Sequence, residues 1–206
     1  MSTVTIVRTG AANLASVAAA VERCTGAPPE ITSSVRSIMS AERLILPGVG
    51  AFGAAMASLT SNQLVEPLRD RLRSQRPTLA ICLGLQLLAT TSDESPGVRG
   101  LGIIDVPVKR FGTTQRVPQM GWNSVTSDPG FEPRINGHVY FANSYRLEEC
   151  PEGWQAAWSD YGGRFIAAIR RGSVVACQFH PELSGQLGER LLRSWLTQPV
   201  SGALAC

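Results

Sequence analysis

Histidine is nearly missing from this chain. It has two, His138 and His180, so any chemistry that needs an imidazole has two candidates. Cysteine is sparse and shows no pairing pattern. Cys24, Cys82, Cys150, Cys177 and Cys206 are odd in number and widely spaced, and no CxxC occurs. That argues against a disulfide framework and a zinc site and fits a reducing, cytoplasmic setting; neither a metal nor a cofactor is expected. Strong charge is missing too. Nineteen basic and sixteen acidic residues leave a net charge of +3 with no basic stripe, which excludes the electrostatic footprint of a nucleic-acid binder. No run of 18 apolar residues is present, so no membrane-spanning helix is expected. The opening "MSTVTIVRTG" reads directly as a strand, without a signal-peptide layout, again as expected for a cytoplasmic protein.

What remains is the composition of an ordinary globular protein: 206 residues, 44% of them hydrophobic, enough for one α/β domain with a sizeable core. Val4–Val7 reads as a strand, and Asn13 to Arg23 as a helix with Asn13 as its N-cap. Pro28 and Pro29 precede a short strand near Ile31. Residues 43–46 form a third strand, ended by "PGVGAFG". Helix follows from about Ala54 to Arg73, interrupted near residues 60–62, and then a strand at 77–81 with a helix from Leu83 to Ala89. This β/α alternation predicts a mostly parallel open sheet flanked by helices. After Pro96-Gly97 strand-like runs follow one another, at 101–109, 120–126, 139–146, 155–159, 165–170 and 174–179. They predict a mixed or antiparallel extension of the same sheet. A helix closes the domain at about 186–196. The expected organisation is a single domain over 1–198 and a loose tail at 199–206.

The stretch "AICLGLQLLA" (80–89) carries the chemistry. Cys82 falls at a turn from a buried strand into a helix, with Ala80 two residues before it and Gly84 two after. That is the layout of a nucleophile elbow with sulfur in place of a hydroxyl. A helix N-terminus and a nearby histidine are what convert a thiol into a nucleophilic thiolate. His180 ends the apolar run 174–179 and so lies at the carboxyl edge of the sheet, where ligands collect in open α/β folds. Glu182 is two residues further, positioned to orient the imidazole and stabilise its cation. His138, beside the Asn136-Gly137 turn, is the weaker candidate. "PGVG" (47–50) ends another strand, and its glycines let a backbone N–H turn toward a ligand. The N–H of Leu83 is the expected second oxyanion donor. Singly, each feature has an ordinary structural reading. Three strand ends carrying the three parts of thiol acyl transfer point to a cysteine hydrolase.

Taken together, "LPGVGAFGAAM" (46–56), "ICLGLQLL" (81–88), "VPQMGWN" (117–123), "YFANSY" (140–145), "YGGRFIAAI" (161–169) and "QFHPELSG" (178–185), with "ANLASV" (12–17), resemble the class I (triad) glutamine amidotransferases. Within that class they look like the glutaminase subunits of imidazole glycerol phosphate synthase, which serve histidine biosynthesis. The resemblance implies that Cys82 attacks the side-chain amide of L-glutamine and holds a γ-glutamyl thioester. His180 would carry the proton, Glu182 would be its partner, and Gly48, Val49 and Gly50 would form the oxyanion strand. Gln86, Glu94, Asn143, Ser144 and Tyr145 would bind the substrate. It further implies a heterodimer with a (β/α)₈-barrel cyclase subunit, which would use the ammonia to make imidazole glycerol phosphate and AICAR from PRFAR. Three positions depart from the family pattern: Asn143 where histidine is usual, Leu183 where a basic residue is frequent, and Ala80 where glycine is usual. A paralogous ammonia donor for another amidation, such as of a surface-polysaccharide sugar, and a non-catalytic scaffold are the alternatives. A papain-like protease fits poorly with the β/α alternation ahead of Cys82.

Overall fold

The computed structural model describes residues 3–9 and 13–199. Ala12 of "ANLASV" and residues 200–206 of the expected tail lie outside the described residues. Four short strands form the parallel half of the sheet: β1 (Val4–Val7), β2 (Glu30–Thr32), β3 (Arg43–Leu46) and β4 (Thr78–Ile81). Between and after them run α1 (Leu14–Thr25), α2 (Val35–Ser40), α3 (Phe52–Ser61), α4 (Val65–Arg73) and the one-turn α5 (Leu83–Leu87). The second half contributes β5 (Lys109–Arg110), β6 (Gln119–Ser127), β7 (Gly137–Asn143), β8 (Tyr145–Arg146), β9 (Gln155–Asp160), β10 (Arg164–Arg171) and β11 (Val174–Cys177). A 3₁₀ turn (Pro181–Leu183) and α6 (Gly185–Thr197) close the fold.

Nine strands share one sheet, in the order β2-β1-β3-β4-β11-β10-β9-β6-β7, while β5 and β8 pair separately. Pairing is parallel from β2 to β11 and antiparallel from β11 to β7. The late strand β11 thus returns to the middle of the sheet and lies parallel to β4. Strands β1, β3, β4 and β11 are buried along their whole length, as central parallel strands covered on both faces must be, whereas the edge strand β2 is partly exposed. Along β4, Ala80 packs with α2–α5 on one face, and Leu79 and Ile81 pack with α1 and α6 on the other. Helix α1 starts at Asn13, whose Oδ1 accepts from the Ser16 N–H at 3.4 Å.

Several expected elements differ in extent. The run at 101–109 is irregular except for the two residues of β5, because Gly102 adopts φ +61° and Pro107 cannot donate to a ladder. The run at 139–146 is two strands in two sheets, divided at Ser144. Strand β11 stops at Cys177, and the helix after Cys82 stops at Leu87. Helix α2 has no counterpart among the sequence expectations. Its six residues bury one side chain, Ile38, too short a stretch to show helical period.

Candidate active site

Cys82 leaves β4 with φ +54° and ψ −108°, a conformation that costs roughly 1–3 kcal/mol for a non-glycine residue. It is held there by its own N–H, which donates to the Cys177 carbonyl of β11 at 2.7 Å. The tight passage into α5 depends on Gly84, where a Cβ would lie 2.1 Å from the Leu46 carbonyl oxygen. Cys82 itself is nearly buried. Its Sγ lies 3.9 Å from the Ala142 carbonyl and 3.6 Å from Nε2 of Gln178.

His180 comes from the end of β11, the strand beside β4. Its N–H donates to the Tyr140 carbonyl on β7, and its carbonyl accepts from Ser184 Oγ at 2.6 Å. Ser184 Oγ in turn accepts from the Tyr140 N–H at 2.9 Å. The His180 backbone is thereby tied to β7 as well as to the strand it follows. Its Nδ1 sits 2.8 Å from Oε1 of Glu182, with both side chains almost wholly buried. Burial works to push the imidazole down, but hydrogen bonding and charge from Cys82 and Glu182 outweigh it. The His180 pKa is raised to about 10. His138 lies on the exposed face of β7, away from this cluster.

A cavity of about 280 Å³ opens beside Cys82 and His180, lined also by Val49, Gly50, Leu83, Gln86, Glu94, Ala142, Asn143, Ser144 and Tyr145. The five residues expected to bind substrate therefore meet at one place. They come from α5, the loop after it, and the β7–β8 junction. Gly48 and Glu182 instead line a small adjoining void behind His180. Gln86 Nε2 donates to the Tyr145 carbonyl at 3.1 Å and to Oε1 of Gln178 at 3.0 Å. Asn143 Nδ2 donates to the same Tyr145 carbonyl at 3.0 Å. Glu94 also serves the fold. Its Oε2 accepts from the Phe52 N–H at 2.7 Å, and Ser95 Oγ accepts from Gly53 N–H at 3.0 Å. Together they cap α3, whose own N-cap residue, Ala51, offers no side-chain bond.

The two expected oxyanion donors are not both available. The Leu83 N–H donates to the Gly48 carbonyl at 3.3 Å, so the Gly48–Val49 peptide presents its oxygen to the elbow. Gly50 has φ +103°, a geometry open to glycine.

Three contributors escape a reading of the sequence. Ala142 contributes its backbone, which carries no side-chain signal. Ser184 has the look of a turn residue. Gln178 does carry a signal: a wholly buried amide ending an apolar strand is expensive unless it is bonded.

A thiol at a strained elbow, an imidazole-carboxylate pair on the adjacent strand and a small polar cavity are the parts of a class I glutamine amidotransferase. The model of that family, glutamine amidotransferase class-I, matches residues 8–198, and the chain belongs to it. A solved structure described as a glutamine amidotransferase superposes with a TM-score of 0.75, covering 94% of this chain and 96% of that one, at 21% identity. Closer in sequence is the imidazole glycerol phosphate synthase subunit HisH of Rhodopirellula baltica. It is 44% identical over 205 residues, covering 97% of this chain and 100% of the relative. The protein of that name from Yersinia pseudotuberculosis is 40% identical over 200 residues, covering 94% and 98%. The chain is also 42% identical over 204 residues to the chloroplastic imidazole glycerol phosphate synthase hisHF of Arabidopsis thaliana. There it covers 95% of itself and 34% of the relative. Among the amidotransferases, the chain falls with the HisH subunits.

Proposed function

We propose that the chain, as one amidotransferase domain over residues 1–198, hydrolyses L-glutamine and passes the ammonia to a cyclase subunit. The cyclase would use it to make imidazole glycerol phosphate and AICAR from PRFAR in histidine biosynthesis. The observation that carries the chemistry is the convergence of Cys82 and His180 on one cavity from two adjacent strand ends, with Glu182 bonded to the far side of the imidazole. At about 280 Å³ that cavity lies at the small end for ligand pockets, roughly 300–1,000 Å³, as suits an amino acid.

The resting site holds the proton on His180, because Cys82 and Glu182 hold its pKa near 10. The sulfur attacks the carboxamide carbon, and a C–S bond forms as the carbonyl π pair moves to oxygen. When the oxyanion collapses, the C–N bond breaks and the imidazolium gives its proton to the departing nitrogen, releasing ammonia. Acylation removes the Cys82 charge that helped to raise His180. The imidazole, now neutral and less basic, takes a proton from water as that water attacks the thioester. The C–S bond breaks, and glutamate leaves. Glu182 keeps the ring oriented in both halves.

Oxyanion stabilisation requires the Gly48–Val49 peptide to turn over. That would free the Leu83 N–H and aim the Val49 N–H at the substrate. The bond to be broken is long, at 3.3 Å, and a well-aimed donor is worth roughly 2.7–4 kcal/mol. Docking of the partner is the natural trigger. Met120 and Trp122 on β6 are 72% and 58% exposed, and Leu183, beside Glu182, is 42% exposed. These large apolar side chains close to the triad support a partner surface. The hisHF relative, about three times the length of this chain, supports a partner function joined to it. The free thiols Cys24, Cys82, Cys150 and Cys177 suit the reducing cytoplasm.

The test is glutamine hydrolysis by the chain alone, with the cyclase, and with the cyclase plus its nucleotide ligand. Low activity alone and a stimulation of ~10²–10³-fold by the liganded partner are expected. No hydrolysis in any arm refutes the glutaminase reading. Full activity in the isolated chain refutes the peptide switch alone.

A further inference from the structure

The Gln178 side chain has no accessible surface, and its contacts reach the nucleophile. Its orientation follows from a chain of hydrogen bonds with one fixed end. The Tyr145 carbonyl can only accept, so the amide nitrogen of Gln86 must face it, at 3.1 Å. The other hydrogen of that nitrogen points to Gln178 Oε1 at 3.0 Å. With its oxygen occupied there, Gln178 turns its own nitrogen to Cys82 Sγ, 3.6 Å away. A thiol at this place can donate to the Ala142 carbonyl. A thiolate has no proton to give and needs a donor.

Resting on the reading of Cys82 as nucleophile, we propose that Gln178 is a further catalytic residue, donating an N–H to the Cys82 thiolate and fixing the sulfur in the cavity. Three features carry this. The amide is sealed from solvent, so its donor cannot be spent on water instead of sulfur. Strand β11, Val174–Cys177, is buried and carries no amide, hydroxyl or charged side chain, so a buried amide next in the chain requires partners, and it has them. Finally, His180 lies two residues on, so the donor and the proton carrier are placed by one strand end. The thiolate is held between them, and Gln86 ties that donor to the substrate cavity.

The test replaces Gln178 by Met, similar in length and without a donor, and by Leu as a second donor-free variant. Folding is checked by thermal unfolding. Thiolate absorbance near 240 nm is taken relative to Cys82→Ala, and alkylation by iodoacetamide at pH 7 is read peptide by peptide. Loss of one charge-assisted hydrogen bond should cut the alkylation rate of Cys82 about tenfold and diminish its thiolate band. Cys24 and Cys150, both partly exposed, should react unchanged. A purely structural role would alter the unfolding temperature and leave both readouts where they are; that result overturns the proposal. Should neither variant fold, the wild-type protein decides. With ¹⁵N-labelled glutamine side chains, a solvent-protected amide resonance must move when Cys82 is alkylated, and its failure to move overturns the proposal. In every arm, alkylation of Cys82 must extinguish glutamine hydrolysis. If hydrolysis survives, the nucleophile assignment fails; if it is extinguished while Gln178→Met reacts like wild type, Gln178 alone is excluded.

Discussion

Glu182→Gln separates orientation from charge at the triad. The substitution keeps shape and leaves an oxygen able to accept from His180 Nδ1, now 2.8 Å from the carboxylate. It removes the negative charge. A hydrogen bond to a charged group contributes about 1.5–3 kcal/mol and a neutral one about 0.5–1.5, so about 1–1.5 kcal/mol of imidazolium stabilisation disappears. That corresponds to a roughly tenfold loss in kcat. Glu182 is not among the residues lining the cavity, so KM for glutamine should stay within about twofold. The assay is glutamate release by the partnered protein across a range of glutamine. An unchanged kcat makes Glu182 a bystander, and a raised KM with unchanged kcat makes it a substrate-binding residue; either refutes the reasoning. Stability supplies an independent check. The folded pKa of His180, about 10, lies above its ordinary 6.5, so the folded state binds this proton more tightly than the unfolded chain. The resulting stabilisation is fully present below about pH 6.5 and is lost as pH rises through about 10. The gap in urea midpoint between wild type and Glu182→Gln should therefore narrow from pH 7 to pH 10.

Cys82→Ala should abolish glutamine-dependent synthesis and leave synthesis from ammonium salts intact; residual glutamine hydrolysis above background would refute the nucleophile. Gly50→Ala places a side chain at φ +103°, a strain of roughly 1–3 kcal/mol on the resting oxyanion strand. The ratio of partner-stimulated to unstimulated hydrolysis should fall while the protein stays folded, and an unaltered ratio would exclude this segment from control. Arg71 is buried and donates to the carbonyls of Ile38, Ala41, Glu42 and Pro77 and to Thr78 Oγ1. Burial, with Arg76 nearby, lowers its pKa to about 9. Arg71→Met strands several of these acceptors at about 1–3 kcal/mol each, so urea unfolding should show a loss of at least ~3 kcal/mol; a loss under ~1 would mean the carbonyls find other donors.

The parallel half of the sheet is legible because most of its strands are short apolar runs with clear stops, Pro47 after β3 and the elbow after β4. The triad is legible for a related reason: Cys82 and His180 both follow such runs, and strand ends are where side chains can meet. Three things are not. The engagement of the Leu83 N–H by Gly48 is a choice between two orientations of one peptide, and residue types do not record it. The double role of Glu94 joins a loop to the start of α3 across 42 positions, beyond the reach of local pattern. Gln178 disappears into the strand 174–179 when a buried run is read by its average character, although the one polar exception is its most informative residue.

The bond from the Cys82 N–H to the Cys177 carbonyl spans 95 positions of chain yet joins neighbouring strands. Nucleophile and proton carrier are thus registered by a seam of parallel backbone pairing, across the long excursion between them. The intervening stretch touches that seam again at Tyr140, whose carbonyl accepts from the His180 N–H, so insertions at its other turns leave sulfur and imidazole in register. Hydrogen exchange would see this as a division of the molecule: amides along β4 and β11 exchanging only with global unfolding, and those of the separate β5–β8 pair exchanging through local opening. The reacting pair is held by one line of paired backbone and a cross-tie at Tyr140.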